Sequence, residues 1–249
     1  MQRFGLRDDQ WERIKDFLPG RTGHVGGTAA NNRLFVDAVL YRYRTGIPWR
    51  DLPTRFGDWK IVHQRFGRWA KSGVFERIFK LLASDPDNEY MMIDATIVRA
   101  HQHSAGARKK RPAGDRQIAR RTDHENPRPH RCLGQSCRVD AHARASPLLI
   151  GAEPLIEHAE PEALIGDKGY DADPFIAVLT RRGITPVIPP KANRKIQRTC
   201  DFALYCERNL VERFFNQLKH FRAIATRYDK LARNFLAGVQ LAAAMILLN

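Results

Sequence analysis

The segment YMMIDATIV, residues 90–98, decides how this chain is interpreted. It opens with apolar residues and continues with β-branched ones, a pattern that predicts a buried strand. Asp94 closes the apolar run YMMID. A carboxylate in such surroundings is costly to remove from water unless it is paired or binds a cation. We therefore interpret Asp94 as a candidate functional residue carried by a strand.

Beyond this strand, short strand patterns alternate with longer helical ones. LIGD and TPVIPP indicate strands, and PFIAVLTRR between them indicates a helix. Two more helical patterns follow toward the C-terminus. Strands that alternate with helices predict an α/β fold. The segments are residues 164–167, 174–182, 185–190, 205–221 and 231–248.

The chain before the first strand reads as helices separated by turns, over residues 6–83. The polar stretch SDPDN, 84–88, predicts a hinge. We therefore expect an all-α domain over residues 1–84 and an α/β domain over residues 89–249.

The last part of the helical region is basic. Six Lys or Arg between residues 60 and 80 stand against one acid and are interleaved with aromatic residues. A helix-turn-helix unit whose last helix enters the major groove would show this pattern, with Arg65, Arg68 and Lys71 as DNA contacts. A small helical bundle with a solvated basic face fits the pattern equally well, and both interpretations stay open.

Composition narrows the class of partner. Of the 249 residues, 42 are Lys or Arg and 27 are Asp or Glu, which gives a net charge of +15. This balance favours a polyanion, nucleic acid before an anionic membrane. The polar N-terminus predicts a cytoplasmic protein, and the apolar run 235–248 is too short to span a bilayer. The cysteines, at 132, 137, 200 and 206, lack zinc-site spacing and are expected to be free thiols.

Two further acids join Asp94. Asp167 ends LIGD, where Gly-Asp-Lys-Gly is equally good turn chemistry. Glu212 lies in the predicted helix 205–221, and at about 100° per residue it shares one narrow face with residues 205, 208 and 219. An ordinary amphipathic helix with an Arg208–Glu212 ion pair would look the same. Three such carboxylates can hold two divalent cations, with Mg²⁺ the best match, for displacement at phosphorus.

These segments resemble bacterial insertion-sequence transposases of the DDE type, in the insertion-sequence family numbered five. The most specific match is the spacing Tyr205, Arg208, Glu212, Lys219. The other matching segments are RTGIPWRDLP (44–53), FGDWKIVHQRFGRWAKSGVFERIF (56–79), MMIDATIVRAHQHSAGARKK (91–110), LIGDKGYDAD (164–173), VIPPKANRK (187–195) and the remainder of ERNLVERFFNQLKHFRAIATRYDKLARNF (207–235).

The resemblance implies a ribonuclease-H-like catalytic domain after a helical domain that helps bind terminal inverted repeats. It implies that Asp94, Asp167 and Glu212 are the catalytic triad and bind Mg²⁺, for which Mn²⁺ can substitute. Tyr205, Arg208 and Lys219 would contact DNA or order the site. The implied reaction is hydrolysis at the transposon ends, followed by attack of the freed 3′-hydroxyl on target DNA, with a dimer or larger assembly pairing the ends.

One stretch, residues 112–148, departs from the family. It is Arg-rich, interrupted by Pro and has almost no strand pattern, which predicts an irregular insert. Read one base out of phase, codons for this stretch permit TTKIHALIDALGNP, where the family has a strand pair. We infer a shifted reading frame from about residue 113 to about residue 146. A tolerated insertion loop is the alternative.

This departure bears on activity. Without the strand pair, we expect the strand of Asp94 to lose ladder partners, the sheet to be incomplete and this copy to be inactive. Three functions stay open: a transposase, a non-catalytic DNA-binding protein derived from a degenerate element, and a ribonuclease-H-like nuclease without strand transfer.

Overall fold

The computed structural model describes residues 4–20, 31–83, 90–97, 99–100, 127–131, 156 and 160–249. Helices come first along the chain, and a small mixed sheet with helices packed on it follows. This arrangement agrees with the predicted α/β class. None of the helices in the described part of the chain is long and apolar enough to cross a membrane. Cys200 and Cys206 are free thiols, as predicted, and the other two cysteines lie outside the described residues.

The N-terminal region forms helices where the periodicity predicts them. Local capping defines their ends: the Asn31 side chain accepts a hydrogen bond from the Leu34 N–H, and the Asp58 side chain accepts one from Lys60. Gly46 ends one helix with a left-handed φ of 75°. The helices are α1 (Asp8–Ile14), α2 (Asn32–Thr45), α3 (Trp59–Lys71) and α4 (Val74–Leu82).

A four-stranded sheet forms the centre of the α/β part. Its strand order is β3-β1-β4-β5, with β1 parallel to β4, β4 parallel to β5, and β3 antiparallel to β1. A separate two-stranded pair joins β2 to β6. The strands are β1 (Tyr90–Ile97), β2 (Arg99–Ala100), β3 (Pro127–Arg131), β4 (Ala163–Gly166), β5 (Thr185–Val187) and β6 (Thr226–Arg227).

The expectation that the strand of Asp94 loses its neighbour is wrong for the described residues. Strand β3 pairs with β1 from Ile93 to Ile97 and places His130 opposite Asp94. A ladder is built from backbone groups, so a strand can form without the side-chain pattern that predicts one. Pro127 and Pro129 lack N–H donors for a ladder. Positions two apart in a strand face the same side, and β3 is an edge strand of this sheet, so it tolerates both prolines. The rest of the predicted insert lies outside the described residues.

The C-terminal region is helical, with one difference from prediction. The single helix predicted over 205–221 is split, because Cys206 and Glu207 donate their N–H groups three residues back instead of four. Both residues keep right-handed helical dihedrals, so the chain tightens without reversing. The helices are α5 (Asp173–Arg181), between β4 and β5, then α6 (Phe202–Tyr205), α7 (Arg208–Lys219), α8 (Arg222–Ala225) and α9 (Ala232–Leu247).

The core joins the two predicted domains. One hydrophobic cluster contains buried residues of α2, α3 and α4 together with residues of α7, α9 and the sheet. Helix α9 is mostly buried, as predicted for its apolar run, and packs against α2, α3 and α4. A second, smaller cluster covers the other sheet face around Phe175. The boundary at 84–88 stays a prediction because those residues lie outside the described ones, but the helices on its two sides share a core.

Candidate active site

Two of the three predicted carboxylates lie at adjacent strand positions. Strands β1 and β4 run parallel with Ile93 opposite Gly166, so the next residues along each strand, Asp94 and Asp167, are neighbours. The Asp94 side chain is 14% exposed. The Asp167 side chain accepts a hydrogen bond of 2.9 Å from the Gly169 N–H. Asp167 therefore has the predicted turn role and also the position predicted for a site residue.

The third carboxylate comes from helix α7. Buried apolar residues hold this helix against the core, and Glu212 lies half-exposed on the opposite side. Arg208, one turn earlier, connects it to the strand: Nη1 lies 2.6 Å from Glu212 Oε1, and Nη2 lies 3.5 Å from Asp94 Oδ1. The predicted intrahelical ion pair is therefore present, and the same guanidinium also reaches Asp94.

The charge of Asp167 also acts on the Arg208 guanidinium. Burial by itself lowers the pKa of Arg208, but the charges of Asp94, Tyr205, Glu212 and Asp167 act against burial, and the pKa is raised overall. The charges of three carboxylates, one within β1, one directly after β4 and one on α7, thus act on a single cation. Asp94 and Glu212 thus both contact Arg208, and Asp167 lies beside Asp94 on the neighbouring strand connection.

Tyr170 belongs to this site although sequence reasoning did not single it out. It is fully buried, and its hydroxyl has no hydrogen-bond partner among the described atoms. Burial raises the pKa of Tyr170 most, and the negative charges of Asp94 and Asp167 raise it further. An aromatic residue three positions after Asp167 was the available signal in the sequence.

The other two residues that were predicted to contact DNA on the face of Glu212 are Tyr205 and Lys219. Tyr205 ends α6 and is half-buried near Arg208, so it is close to the site without sharing the helix of Glu212. Lys219 is exposed at the end of α7, two turns after Glu212 on the same side. Their DNA contacts stay predictions.

The basic residues of α3 divide into two kinds. Arg68 and Lys71 are exposed. The Arg65 guanidinium instead lies over the rings of Phe35 and Trp69, at 4.3 and 4.8 Å from their centroids, and its Nη2 donates to the side chain of Asn32. Burial lowers the pKa of Arg65, and the neighbouring Arg68 lowers it further. Arg65 therefore packs against the protein in this structure, and its DNA contact stays a prediction.

A buried acid holds the loop that follows β5 near the same end of the sheet. Asp171 Oδ2 accepts hydrogen bonds of 2.7 Å from the Lys191 N–H and from Arg194 Nε. Arg198 also pairs with Asp171, whose side chain is fully buried. Parallel strands present their C-terminal ends at one edge, so this loop emerges where Asp167 lies. The segment VIPPKANRK matches the family in sequence, but no role was predicted for it.

The donor chemistry of the site fits the predicted metal. Carboxylate oxygens are the hard ligands that Mg²⁺ prefers, and the negative charge here is sufficient to raise the pKa of a guanidinium. Among the described residues, no group of three or more His, Cys, Asp or Glu lies close enough together to hold an ion. The residue types fit, while Arg208 lies between the acids.

Comparison with known proteins agrees with these features. A family described as "Transposase DDE domain" matches residues 86–247, and one described as "Putative transposase of IS4/5 family" matches residues 6–79. An uncharacterised protein, y4sN, of Sinorhizobium fredii is 55% identical over 105 residues, which are 42% of this chain and 84% of the relative. A putative transposase for IS6501 of Brucella ovis is 41% identical over 87 residues, 34% of this chain and 67% of the relative.

A third relative, the 16.2 kDa protein of insertion element IS402 of Burkholderia cepacia, is 30% identical over 107 residues, 38% of this chain and 73% of the relative. The first family match ends before the predicted hinge, the second begins within it, and the DDE match spans all three carboxylates. The chain therefore belongs to the DDE-domain transposases of the IS4/5 family.

Proposed function

We propose that this chain is the transposase of a bacterial insertion sequence, of family five, with a ribonuclease-H-like catalytic domain. It binds terminal inverted repeats and catalyses metal-dependent DNA cleavage and strand transfer. The observation that carries the proposal is the contact of Asp94 and Glu212 with the Arg208 guanidinium, with Asp167 beside Asp94. A site this rich in acids within a chain of net charge +15 suits a reaction at a DNA phosphate.

In the proposed site, the acidic residues bind metal and the basic residues bind DNA. Asp94, Asp167 and Glu212 would hold two Mg²⁺ ions, or Mn²⁺ in their place. When bound, such ions activate the attacking oxygen and stabilise the leaving one. Arg208, no longer needed to neutralise Asp94 and Glu212, is then free to bind a phosphate oxygen of the DNA. Tyr205 and Lys219 extend this contact on either side of Glu212.

The reaction determines the partners. Strand transfer joins element ends to a target, so the chain binds both terminal repeats and target DNA. Pairing two ends requires at least a dimer at work. The bacterial cytoplasm, where the nucleoid lies, is the location that this reaction needs.

We also propose that residues 113–146 are translated out of frame. Strand β3 supports retained activity all the same, because it pairs with β1 beside Asp94 and removes the structural reason for inactivity given above. Sequencing the gene tests the shift: inverted repeats flanking a gene whose alternative frame encodes TTKIHALIDALGNP are expected. A gene with no such alternative frame would leave the tolerated insertion as the explanation.

The catalytic proposal is tested with the full chain, a duplex that carries the element's own ends, target DNA and Mg²⁺. We expect cleaved and joined products that disappear in Asp94→Asn and Glu212→Gln while DNA binding is retained. Glu12→Gln, at an exposed acid of α1, is the matched control and should keep full activity. Products that persist in Asp94→Asn would exclude this triad.

The same assay separates the other functions. The exposed cations Arg68 and Lys71 lie on a helix that carries none of the three acids, which favours DNA binding by itself as the second candidate. That function predicts salt-sensitive binding that depends neither on Glu212 nor on metal, with no products from the unaltered chain. A nuclease would give cleaved DNA and no joined strands.

A further inference from the structure

A groove of about 490 Å³ lies between α3 and the first turn of α9. We call it the α3–α9 groove. Helix α3 lines it with Gly67, Arg68 and Lys71, and the start of α9 lines it with Leu231, Arg233 and Asn234. The two sides come from regions that are some 160 positions apart in the chain, so only the folded protein has this groove.

The charge of the groove is unbalanced. Arg68, Lys71 and Arg233 are exposed, and within the described part of the chain none of them forms an ion pair. Among the residues that the structure describes, no acidic one lines the groove. Three cations that face one concave surface without counter-charges favour an anionic ligand.

Gly67 provides a second and independent indication. It lies in the interior of α3, where glycine is less favourable than alanine because it costs more backbone entropy. A Cβ added at Gly67 would meet no atom of the described residues within 4 Å, so packing against them does not require glycine here. The space that the missing side chain leaves belongs to the groove, where it permits close approach of a ligand.

The start of α9 provides a third indication of an anionic ligand. Arg233 lies in the first turn, at the positive end of the helix dipole, where a cation is unfavourable. The N-cap residue, Leu231, offers no side-chain acceptor to the first N–H groups. A bound anion would stabilise both the cation and the helix end.

We propose that the α3–α9 groove binds the phosphodiester backbone of DNA, so that Arg233 of the C-terminal helix shares this contact with Arg68 and Lys71 of α3. The proposal rests on the proposed function for its substrate class and adds where the backbone lies. Phosphate contacts position DNA without reading its sequence, so the groove should act on any duplex.

Binding of the full chain to labelled duplexes, with and without the terminal repeats, tests this in a metal-free buffer. Log affinity falls by about 0.9 per log unit of salt for each neutralised phosphate, so at about 0.1 M salt one contact is worth roughly eightfold. Arg233→Ala and Lys71→Ala should each weaken binding to both duplexes by about this factor and lower the salt slope by about one. Arg13→Ala removes an exposed cation of α1 outside the groove and should bind normally.

Gly67 gives a readout that a structural role would not produce. Gly67→Ala should raise the thermal midpoint, and Gly67→Leu, which fills the groove, should weaken DNA binding at least as much as Arg233→Ala. If Arg233→Ala unfolds, Arg233→Gln removes the charge while keeping a long side chain and should weaken binding by the same factor. Unchanged binding in both Gly67→Leu and a folded Arg233 variant would overturn the proposal, as would displacement of DNA by millimolar inorganic phosphate at constant ionic strength, which indicates a small-anion site.

Catalysis is measured separately, so the two proposals can fail independently. An unaltered chain that cleaves DNA while groove variants bind normally removes only the groove. A chain that binds through the groove but never cleaves DNA removes only the catalytic proposal.

Discussion

At the scale of single residues, two helical glycines show how surroundings set the sign of a substitution. Gly67 of α3 faces open space. Gly238 of α9 faces the ring of Tyr43, which an added Cβ would overlap. The Tyr43 hydroxyl cannot easily yield, because it lies 3.0 Å from Asp229 Oδ2 and 3.1 Å from the carbonyl oxygen of Asn234. Gly238 is therefore required by packing between α2 and α9, whereas Gly67 is not required by packing.

The matched pair gives a stability prediction. Gly67→Ala should increase the free energy of unfolding by about 0.5–1 kcal/mol through helix propensity. Gly238→Ala gains the same propensity but overpacks the core, and should lower that free energy by about 1–3 kcal/mol. Urea unfolding followed by circular dichroism measures both. Shifts in the same direction would contradict the packing that the structure shows.

His63 gives a prediction on pH. Burial lowers its pKa from the ordinary value of 6.5; Asp229 acts in the opposite direction and Arg42 in the same one. The unfolded chain therefore takes up this proton at a higher pH than the folded chain does. The stability contribution is present above 6.5 and is lost as pH falls through the lower folded-state pKa.

Replacing this histidine removes that dependence. Between about pH 7.5 and about pH 5.5, His63→Gln should lose less free energy of unfolding than the unaltered chain. Denaturant unfolding at several pH values measures the difference. Two stability curves that stay parallel across this interval would show that His63 has no shifted pKa.

At the scale of elements, the loop after β5 shows how one acid orders a basic segment. Asp171 contacts the Lys191 N–H, Arg194 and Arg198, and it has no exposed side-chain surface. Asp173 contacts the same two arginines but is 80% exposed. Burial decides which carboxylate matters, because an ion pair in water contributes little.

Those two acids form a test and its control. Asp171→Asn leaves two guanidinium groups beside a neutral side chain and should cost about 1–3 kcal/mol of unfolding free energy. Asp173→Asn should cost less than about 1 kcal/mol. Trypsin should also cut the loop at Arg194 or Lys195 faster in Asp171→Asn. Equal effects of the two substitutions would mean that the loop is not held by the buried acid.

At the scale of the whole molecule, the C-terminal helix completes the core of the N-terminal helices. Helix α9 packs against α2, α3 and α4, and just before it Asp229 forms a buried ion pair with Arg42 at 3.2 Å. The two ends of the chain also meet, since Asn249 Oδ1 accepts hydrogen bonds from Arg7 and Gln10. The N-terminal helices and the α/β part therefore share one hydrophobic core.

Truncation tests whether the N-terminal helices can fold without α9. A fragment of residues 1–84 lacks α9 and exposes the apolar faces of α2, α3 and α4, so we expect it to unfold without a cooperative transition. The full chain should unfold cooperatively under the same conditions, as followed by circular dichroism in urea. A fragment that unfolds cooperatively and binds DNA would instead support an independent domain and the non-catalytic function.

Much of the fold was predictable because it depends on local patterns. Apolar periodicity located the helices around Phe66 and Leu218, and the apolar runs before Asp94 and Asp167 located β1 and β4. The break between α6 and α7 was not predictable, since Cys206 and Glu207 are both compatible with a helix. The strand at Pro127–Arg131 was missed because backbone pairing does not need the side-chain pattern that indicates a strand.

The sequence by itself determined most of the element types, the basic character of α3 and the three acids, because residue type and spacing carry that information. Only the tertiary structure decided which groups meet: Arg208 among the acids, Tyr170 beside them, and Arg233 opposite α3. Such contacts join residues far apart in the chain, and their energies depend on burial and distance, which arise when the core closes.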